Sequence, residues 1–389
     1  MQSNDLLHKL NKLRMIFWPV EMHELKKFLP MAFMMFCILF NYTMLRGIKD
    51  SLVVSNIAAE VISYLKLWCV TPSAVIFMVI YIHLTNKLQA ERIFYIITSS
   101  FLVFFALFTY VIYPNPEYFH PSVASIDSMV QSMPSMKWFI LLYGKWSYAA
   151  FFVMSELWGS AVLTLLFWQF ANQITKTSEA KRFYSFFGFF GNFSVIAAGA
   201  LLEHFATTKT IIDSKAITSN VSNGVDSSIL ICNSLVIISG LVCMALYKWM
   251  NMYVLTDPAQ YTPSSASVKK KVKMTLGESF KVIFTSRYLG YIAILVIAYG
   301  ISINLIEGPW KAKIKELYPL QNDYSAFMGS YLKWVGIISL ITMLVGSNIL
   351  RLCNWLTAAV ITPLMIMITG LGFFVLIIFP SELNEYILL

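Results

Sequence analysis

The stretch Ser155–Gln173, SELWGSAVLTLLFWQFANQ, lies within an apolar run that extends from about residue 138 to residue 172. An apolar run of about 18 residues or more predicts a helix that spans a membrane. Glu156 is unusual in such a helix, because a carboxylate at bilayer depth costs roughly 2.5 kcal/mol or more on insertion scales. The stretch therefore predicts a span in which Glu156 has either a charged structural partner or a functional role.

The whole chain has the composition of a polytopic, all-α membrane protein. Of its 389 residues, 58% are hydrophobic and 13% are charged, whereas soluble domains are about 25% charged, and the mean hydropathy is +0.67. Because the apolar runs take up most of the chain, they leave no room for a large soluble catalytic domain. These runs predict nine spans, at 28–46, 61–83, 93–113, 138–172, 183–203, 228–250, 286–307, 326–348 and 356–380.

The basic residues predict the orientation of these spans, because loops that remain in the cytoplasm are enriched in Lys and Arg. If the N-terminus is cytoplasmic, the cytoplasmic segments carry 18 of the 29 Lys and Arg residues and the external segments carry 8. We therefore expect a cytoplasmic N-terminus. The net charge of +9 is explained mostly by this asymmetry, and we expect no nucleic-acid partner.

The segments between the spans predict four regions. Residues 1–27 form a cytoplasmic N-terminal segment, 28–251 a first six-helix bundle, 252–285 a basic cytoplasmic linker that meets membrane lipid, and 286–389 a partial second bundle of three spans. Six helices, a basic linker and a second set of helices are typical of two-bundle secondary transporters. The fourth span, 138–172, would be ~50 Å long as one helix, so it either projects beyond the bilayer or breaks. Two short spans are less favoured, because no proline or polar turn divides the run.

Several charged residues lie within or at the ends of the predicted spans. Arg46 and Lys49 lie where the first span ends, and Glu307 ends the seventh span just before Lys311. Lysines that face a central cavity would bind phosphates as point charges, and a neighbouring carboxylate would keep the empty cavity close to neutral. Two simpler interpretations stay open: Lys311 could extend to the membrane interface, and Glu156 could form an ion pair that only fixes helix packing. These residues favour an anionic organic substrate without specifying a nucleotide.

Other functional classes have little support in the sequence. The chain contains no G-x-x-x-x-G-K-[ST] loop, which argues against an ATP-driven pump. Its five cysteines lie in apolar runs without the Cys/His spacing of a zinc site. Its five histidines are scattered near span ends or in loops, and no catalytic constellation surrounds them. We therefore predict a protein that is not an enzyme and that carries no cofactor or metal.

Long motifs along the chain are similar to those of the bacterial and plastid nucleotide transporter family. They include FLPMAFMMFCILFNYTMLRGIKDSLVV, SELWGSAVLTLLFWQFANQITKTSEAKRFYSFFG, YKWMNMYVLTDP and YIAILVIAYGISINLIEGPWKAKIKELYP. The resemblance implies a major-facilitator-like fold with two bundles and twelve spans, located in the bacterial inner membrane. It also implies exchange of external, host ATP for internal ADP.

The resemblance assigns substrate binding to three residues: Lys49 in RGIKD, Glu156 in SELWG and Glu307 in LIEGPWK. Arg46, Lys145 and Lys311 are weaker candidates from their positions in the sequence.

A further lysine of the family pattern lies beyond the last residue of this chain. We therefore expect a member truncated at its C-terminus, with about nine of twelve spans and with a separate chain as a partner that supplies the others. The alternatives are import of another nucleotide or anion, in one version coupled to protons, and a truncated relic that does not transport.

Overall fold

The computed structural model describes residues 20–215, 227–258, 285–352 and 355–379. Within these ranges the chain is helical, without strands, and nine helices are long and apolar enough to cross a membrane. The predicted all-α polytopic fold is thus confirmed. We number these helices α1 (Leu25–Asn56), α2 (Val61–Lys87), α3 (Ala90–Ile112), α4 (Trp146–Ile174), α5 (Thr177–Lys215), α6 (Ser227–Tyr253), α7 (Arg287–Leu317), α8 (Gln321–Leu352) and α9 (Trp355–Ile378).

The predicted N-terminal segment and basic linker lie mostly outside the described residues. The N-terminal segment is described only from residue 20, and most of the linker falls in the gap between 258 and 285. The division of the chain into two bundles, the second of them partial, stays a prediction.

The first helix, α1, occupies the centre of the core. It is apolar on nearly every side from Phe28 to Leu45, a pattern that indicates a helix surrounded by other helices. Aromatic side chains from its neighbours pack around it. The ring of Phe28 stacks on that of Phe187 in α5 at 5.7 Å, and the indole of Trp158 in α4 donates to the carbonyl of Ile38 at 3.2 Å. The position of α1 places its charged C-terminal part in contact with several helices.

Glycines bring α5 and α8 into backbone contact. A Cβ atom at Gly199 would overlap the backbone nitrogen of Lys333, and a Cβ at Gly329 would overlap that of Glu203. Such close approach is common where small residues line membrane helix interfaces. The same two helices share an ion pair between Lys333 Nζ and Glu203 Oε2 at 2.5 Å. Helix α8 is therefore fixed firmly against the first six helices.

The attachment of α7 differs from that of α8. The structure describes all 31 residues of α7, and only Lys311 and Ile314 among them are buried. Residues 288–305 are largely exposed and apolar, as expected for a helix face in contact with lipid. Helix α7 therefore contacts the core through its C-terminal part alone.

The long fourth span breaks at Lys145. A short helix covers Lys137–Gly144, and α4 begins at Trp146. At the break, Lys145 has φ −126° and ψ 41°, outside the helical region. Of the two outcomes predicted for this run, projection beyond the bilayer or a break, the structure shows the break. The Gly144–Lys145 pair provides a turn without a proline, so the expectation that no turn divides the run is wrong.

Candidate functional site

Seven charged side chains from four helices meet near one end of the helices. The helices α1 and α7 end here, whereas α2 and α4 begin here. Residues about one and a half to three turns from these helix ends therefore lie at a similar height along the four helices. We call these residues the charge network and this end of the molecule the network end. The members are Arg46, Lys49 and Asp50 from α1, Lys66 from α2, Glu156 from α4, and Glu307 and Lys311 from α7.

Lys49 connects α1 with α4. Its ammonium group lies 2.9 Å from Oδ1 of Asp50 and 2.9 Å from Oε1 of Glu156. It also lies 4.0 Å from the centre of the Phe152 ring, one turn before Glu156, where a cation interacts with the face of the ring. Glu156 therefore has the charged partner that its depth in the membrane requires.

Asp50 connects α1 with α7. Its Oδ2 atom lies 2.8 Å from the ammonium group of Lys311, and that ammonium group lies 2.8 Å from Oε1 of Glu307. Since Glu307 and Lys311 are four residues apart on one helix, their side chains lie on the same face. Asp50 is thus shared by two lysines, one from each side of the contact between α1 and α7.

Glu307 receives two further cations. Lys66 Nζ lies 2.6 Å from Oε2 of Glu307 and donates a hydrogen bond to Asn304 Oδ1 at 2.8 Å. Arg46 Nη2 lies 4.0 Å from Oε1. Lys66 belongs to a π-helical segment, Leu65–Val70, and such segments are frequent at functional sites. The network thereby extends from Glu156 to Lys66 as an alternation of opposite charges.

The charge network has a buried centre and an accessible rim. Four cations face three carboxylates, so its formal charge is +1. The side chains of Lys49, Asp50 and Lys311 are at most 4% exposed, whereas those of Arg46, Lys66 and Glu156 are 26–39% exposed. Because a site with low-dielectric walls concentrates the field of its charges, the rim would attract an anion and the centre offers ammonium groups to bind it.

The structure brings together five of the six residues that the sequence predicts for substrate binding. Lys49, Glu156 and Glu307 are joined by Arg46 and Lys311. The geometry does not bring Lys145 to them.

Lys145 lies at the helix break, where its ammonium group is 5.8 Å from the ring of Tyr148. It also affects His120, which contacts Ser147 Oγ through Nε2 at 2.7 Å. Burial, and secondarily the charge of Lys145, lower the pKa of His120 to about 4. These contacts give Lys145 a structural position in the loop before α4.

Sequence reasoning missed two members of the network. Asp50 was not nominated as a ligand, although it directly follows Lys49, and Lys66 lay within a predicted span without a partner. Their distance from the helix ends could have identified them. Once the ends of α1 and α2 are known, this distance places Lys66 at the same height along the helices as Lys49.

The family model for the TLC ATP/ADP transporter matches residues 3–389. The chain belongs to this family. The family consists of nucleotide transporters and not of enzymes, in agreement with the prediction from the sequence. No solved structure matches the chain.

Named relatives align with nearly the whole chain. ADP,ATP carrier protein 1 of Rickettsia bellii (strain RML369-C) is 52% identical over 379 residues, which are 97% of this chain and 74% of the relative. ADP,ATP carrier protein 3 of Rickettsia prowazekii (strain Madrid E) is 48% identical over 376 residues, 96% of this chain and 75% of the relative. These alignments support neither the predicted C-terminal truncation nor the predicted separate partner chain.

Proposed function

We propose that this TLC family member exchanges external ATP for internal ADP across the bacterial inner membrane, and that the charge network binds the nucleotide phosphates. The names of its relatives support the choice of substrates. The observation that carries the assignment to these residues is the group of four cations and three carboxylates on four helices that are long and apolar enough to cross a membrane. Because charged residues within membrane helices are costly, they generally mark a substrate or ion pathway.

The rim and the centre of the charge network have different roles in binding the phosphates. An incoming phosphate first meets Arg46 and Lys66, whose side chains are 39% and 27% exposed. The lysines at the centre then replace carboxylate partners with phosphate oxygens, which accept strong charge-assisted hydrogen bonds. Glu156 lies at the rim beside Lys49, where its carboxylate can accept a hydrogen bond from a ribose hydroxyl or a base amino group.

The charge balance of the network is compatible with a site that is alternately empty and occupied by a nucleotide. When the site is empty, the three carboxylates neutralise most of the four cations, so no large charge is left in the membrane. When a nucleotide is bound, its phosphates take over that role. Membership of an ATP/ADP transporter family disfavours a proton-coupled carrier of an unrelated anion, and it disfavours a relic that does not transport.

Exchange is tested with the purified protein in liposomes. Labelled ATP should enter liposomes loaded with ADP rapidly, and it should enter empty liposomes much more slowly. Unlabelled ATP and ADP outside should compete with the label better than GTP or CTP. Equal entry into empty liposomes, or entry that requires a proton gradient, would contradict exchange.

We also propose that the network end faces the outside of the cell and that the N-terminus is cytoplasmic. The excess of Lys and Arg in the segments assigned to the cytoplasm supports this orientation. A fluorescent protein fused after Lys273 should fluoresce, and alkaline phosphatase fused near Ser128 should be active in the periplasm. The reverse result at both positions would overturn the orientation.

A further inference from the structure

Asp50 binds the two most deeply buried ammonium groups of the site, those of Lys49 and Lys311. Its side chain is 1% exposed, with one oxygen 2.9 Å from Lys49 and the other 2.8 Å from Lys311. Each lysine has a second carboxylate partner on its other side: Glu156 for Lys49, and Glu307 for Lys311. The carboxylate of Asp50 thus binds to this lysine pair in the manner expected of a bridging phosphate group.

The same carboxylate holds α7 against α1. Apolar contacts also join the two helices, because Ile314, with Trp310 and Ala312, packs in a cluster that contains Val53 and Val54 of α1. The charged contacts, from Asp50 to Lys311 and from Lys66 to Glu307, are the part of this attachment for which an ion can compete. Ion pairs can be released by another ion, whereas the backbone contact between α5 and α8 cannot be released in this way.

The ion pairs at the opposite end of the molecule do not have this arrangement. There, among the described residues, Lys27 pairs with Glu179 at 2.7 Å and Arg182 pairs with Glu24 at 2.5 Å. These pairs join α5 to α1 and to the short turn before it, all within the first six helices. The attachment of α7 through charges therefore distinguishes the network end.

We propose that Asp50 is an internal substitute for the substrate phosphate, and that it closes the network end whenever no nucleotide is bound. This inference rests on the proposed function. A phosphate group that binds Lys49 and Lys311 displaces Asp50, releases α7 from α1 and opens this end. Without nucleotide the carboxylate returns to the lysine pair, so the empty carrier remains closed at this end.

The first test compares Asp50→Asn with the unaltered protein in liposomes loaded with labelled ADP. The unaltered protein should release label rapidly only when ATP is added outside. Asp50→Asn lacks the charge that closes the network end of the empty carrier, so label should leak through this open end and its release without external nucleotide should rise about tenfold. Asp323→Asn is the matched control, because Asp323 lies near the same end in a cavity between α5 and α8, outside the charge network; its release should stay dependent on ATP.

A second measurement follows the closure without transport. Lys315 Nζ in α7 lies 3.3 Å from the carbonyl oxygen of Ser55 in α1 at the network end. In the double variant Ser55→Cys/Lys315→Cys, made in a chain whose native cysteines are replaced by alanine, a short bifunctional thiol reagent should cross-link α1 to α7 readily. ATP should slow the cross-linking several-fold, and adding Asp50→Asn should slow it without ATP.

The outcomes separate the two proposals. If the unaltered protein shows no exchange of ATP for ADP, the proposed function fails. If it exchanges normally while Asp50→Asn keeps the same dependence on external nucleotide, the role of Asp50 is wrong. Should Asp50→Asn not reach the membrane, the cross-linking assay with Asp50 present still decides, because a rate that ATP does not change contradicts displacement by phosphate.

Discussion

Replacing Lys49 with glutamine should reduce ATP entry into ADP-loaded liposomes about a hundredfold, which corresponds to ~2.7 kcal/mol of lost stabilisation. Glutamine keeps most of the length of the side chain but has no charge to offer to a phosphate. The ammonium group of Lys49 is nearly completely buried between Asp50 and Glu156, and hydrogen bonds to charged groups contribute roughly 1.5–3 kcal/mol each. The initial rate of uptake, divided by the amount of protein in the liposomes, measures the effect.

The matched control is Lys313→Gln, also in a membrane helix near the network end. The side chain of Lys313 is 52% exposed and pairs with Glu316 at 2.6 Å, so its loss should leave the rate within about twofold, as for a surface ion pair. Lys49→Arg should restore little, because the buried ammonium group lies between Asp50 and Glu156 at 2.9 Å from each and arginine is a larger, planar group in place of a compact charge. If Lys49→Gln transports ATP at nearly the rate per molecule of the unaltered protein, Lys49 does not bind the substrate.

Much of the fold could be predicted from hydrophobicity because a bilayer imposes the length and the composition of each span. Among the described residues, the nine predicted spans correspond to the nine helices that are long and apolar enough to cross a membrane. A break in the fourth span was one of the two expected outcomes, but its position before Trp146 was not predicted, since it depends on backbone angles at Lys145. A glycine followed by a lysine permits such a turn, but this pair of residues also occurs within continuous helices and so does not predict a turn.

The candidate site was only partly predictable, for a geometric reason. Charges within apolar runs stand out, and the cost of placing them in a membrane gave Lys49, Glu156 and Glu307 a reason to be there. Which charges meet depends on the level and rotation of four helices, to within a fraction of a turn. Lys66 and Asp50 join the network because α2 starts where α1 ends and because α7 presents Lys311 to α1. Lys145 lies outside it because the helix has already broken.

The structure also refines the two interpretations of Glu156 that the sequence left open. Glu156 does pair with Lys49, as an ion pair that fixes helix packing would. That pair is, however, continuous with Asp50 and Lys311, and its carboxylate is 26% exposed at the rim. The exposure favours a position where a substrate can enter and exchange partners.

A membrane potential should shift the exchange of ATP for ADP strongly. ATP carries about one more negative charge than ADP at neutral pH, so one-for-one exchange moves about one charge across the membrane. Moving one charge through 100 mV changes the free energy by ~2.3 kcal/mol, which is about fortyfold in the equilibrium ratio at ~1.4 kcal/mol per tenfold. In ADP-loaded liposomes, a potential that is positive inside should therefore raise both the initial rate of ATP entry and the final accumulation, and a negative one should lower them.

The potential is imposed with a potassium gradient and valinomycin, and equal potassium on both sides with the same ionophore is the control. The formal charge of the network determines the net charge of the loaded carrier in this experiment. Since its formal charge is +1 when empty, the loaded carrier bears a net negative charge with either nucleotide, and the two loaded forms differ by one unit. The response to the potential should thus arise from the nucleotides, and it should disappear when ADP is exchanged for labelled ADP. A rate of ATP entry that ignores the potential would mean that a compensating ion crosses with the nucleotide, and it would require a binding place for that ion in addition to the charge network.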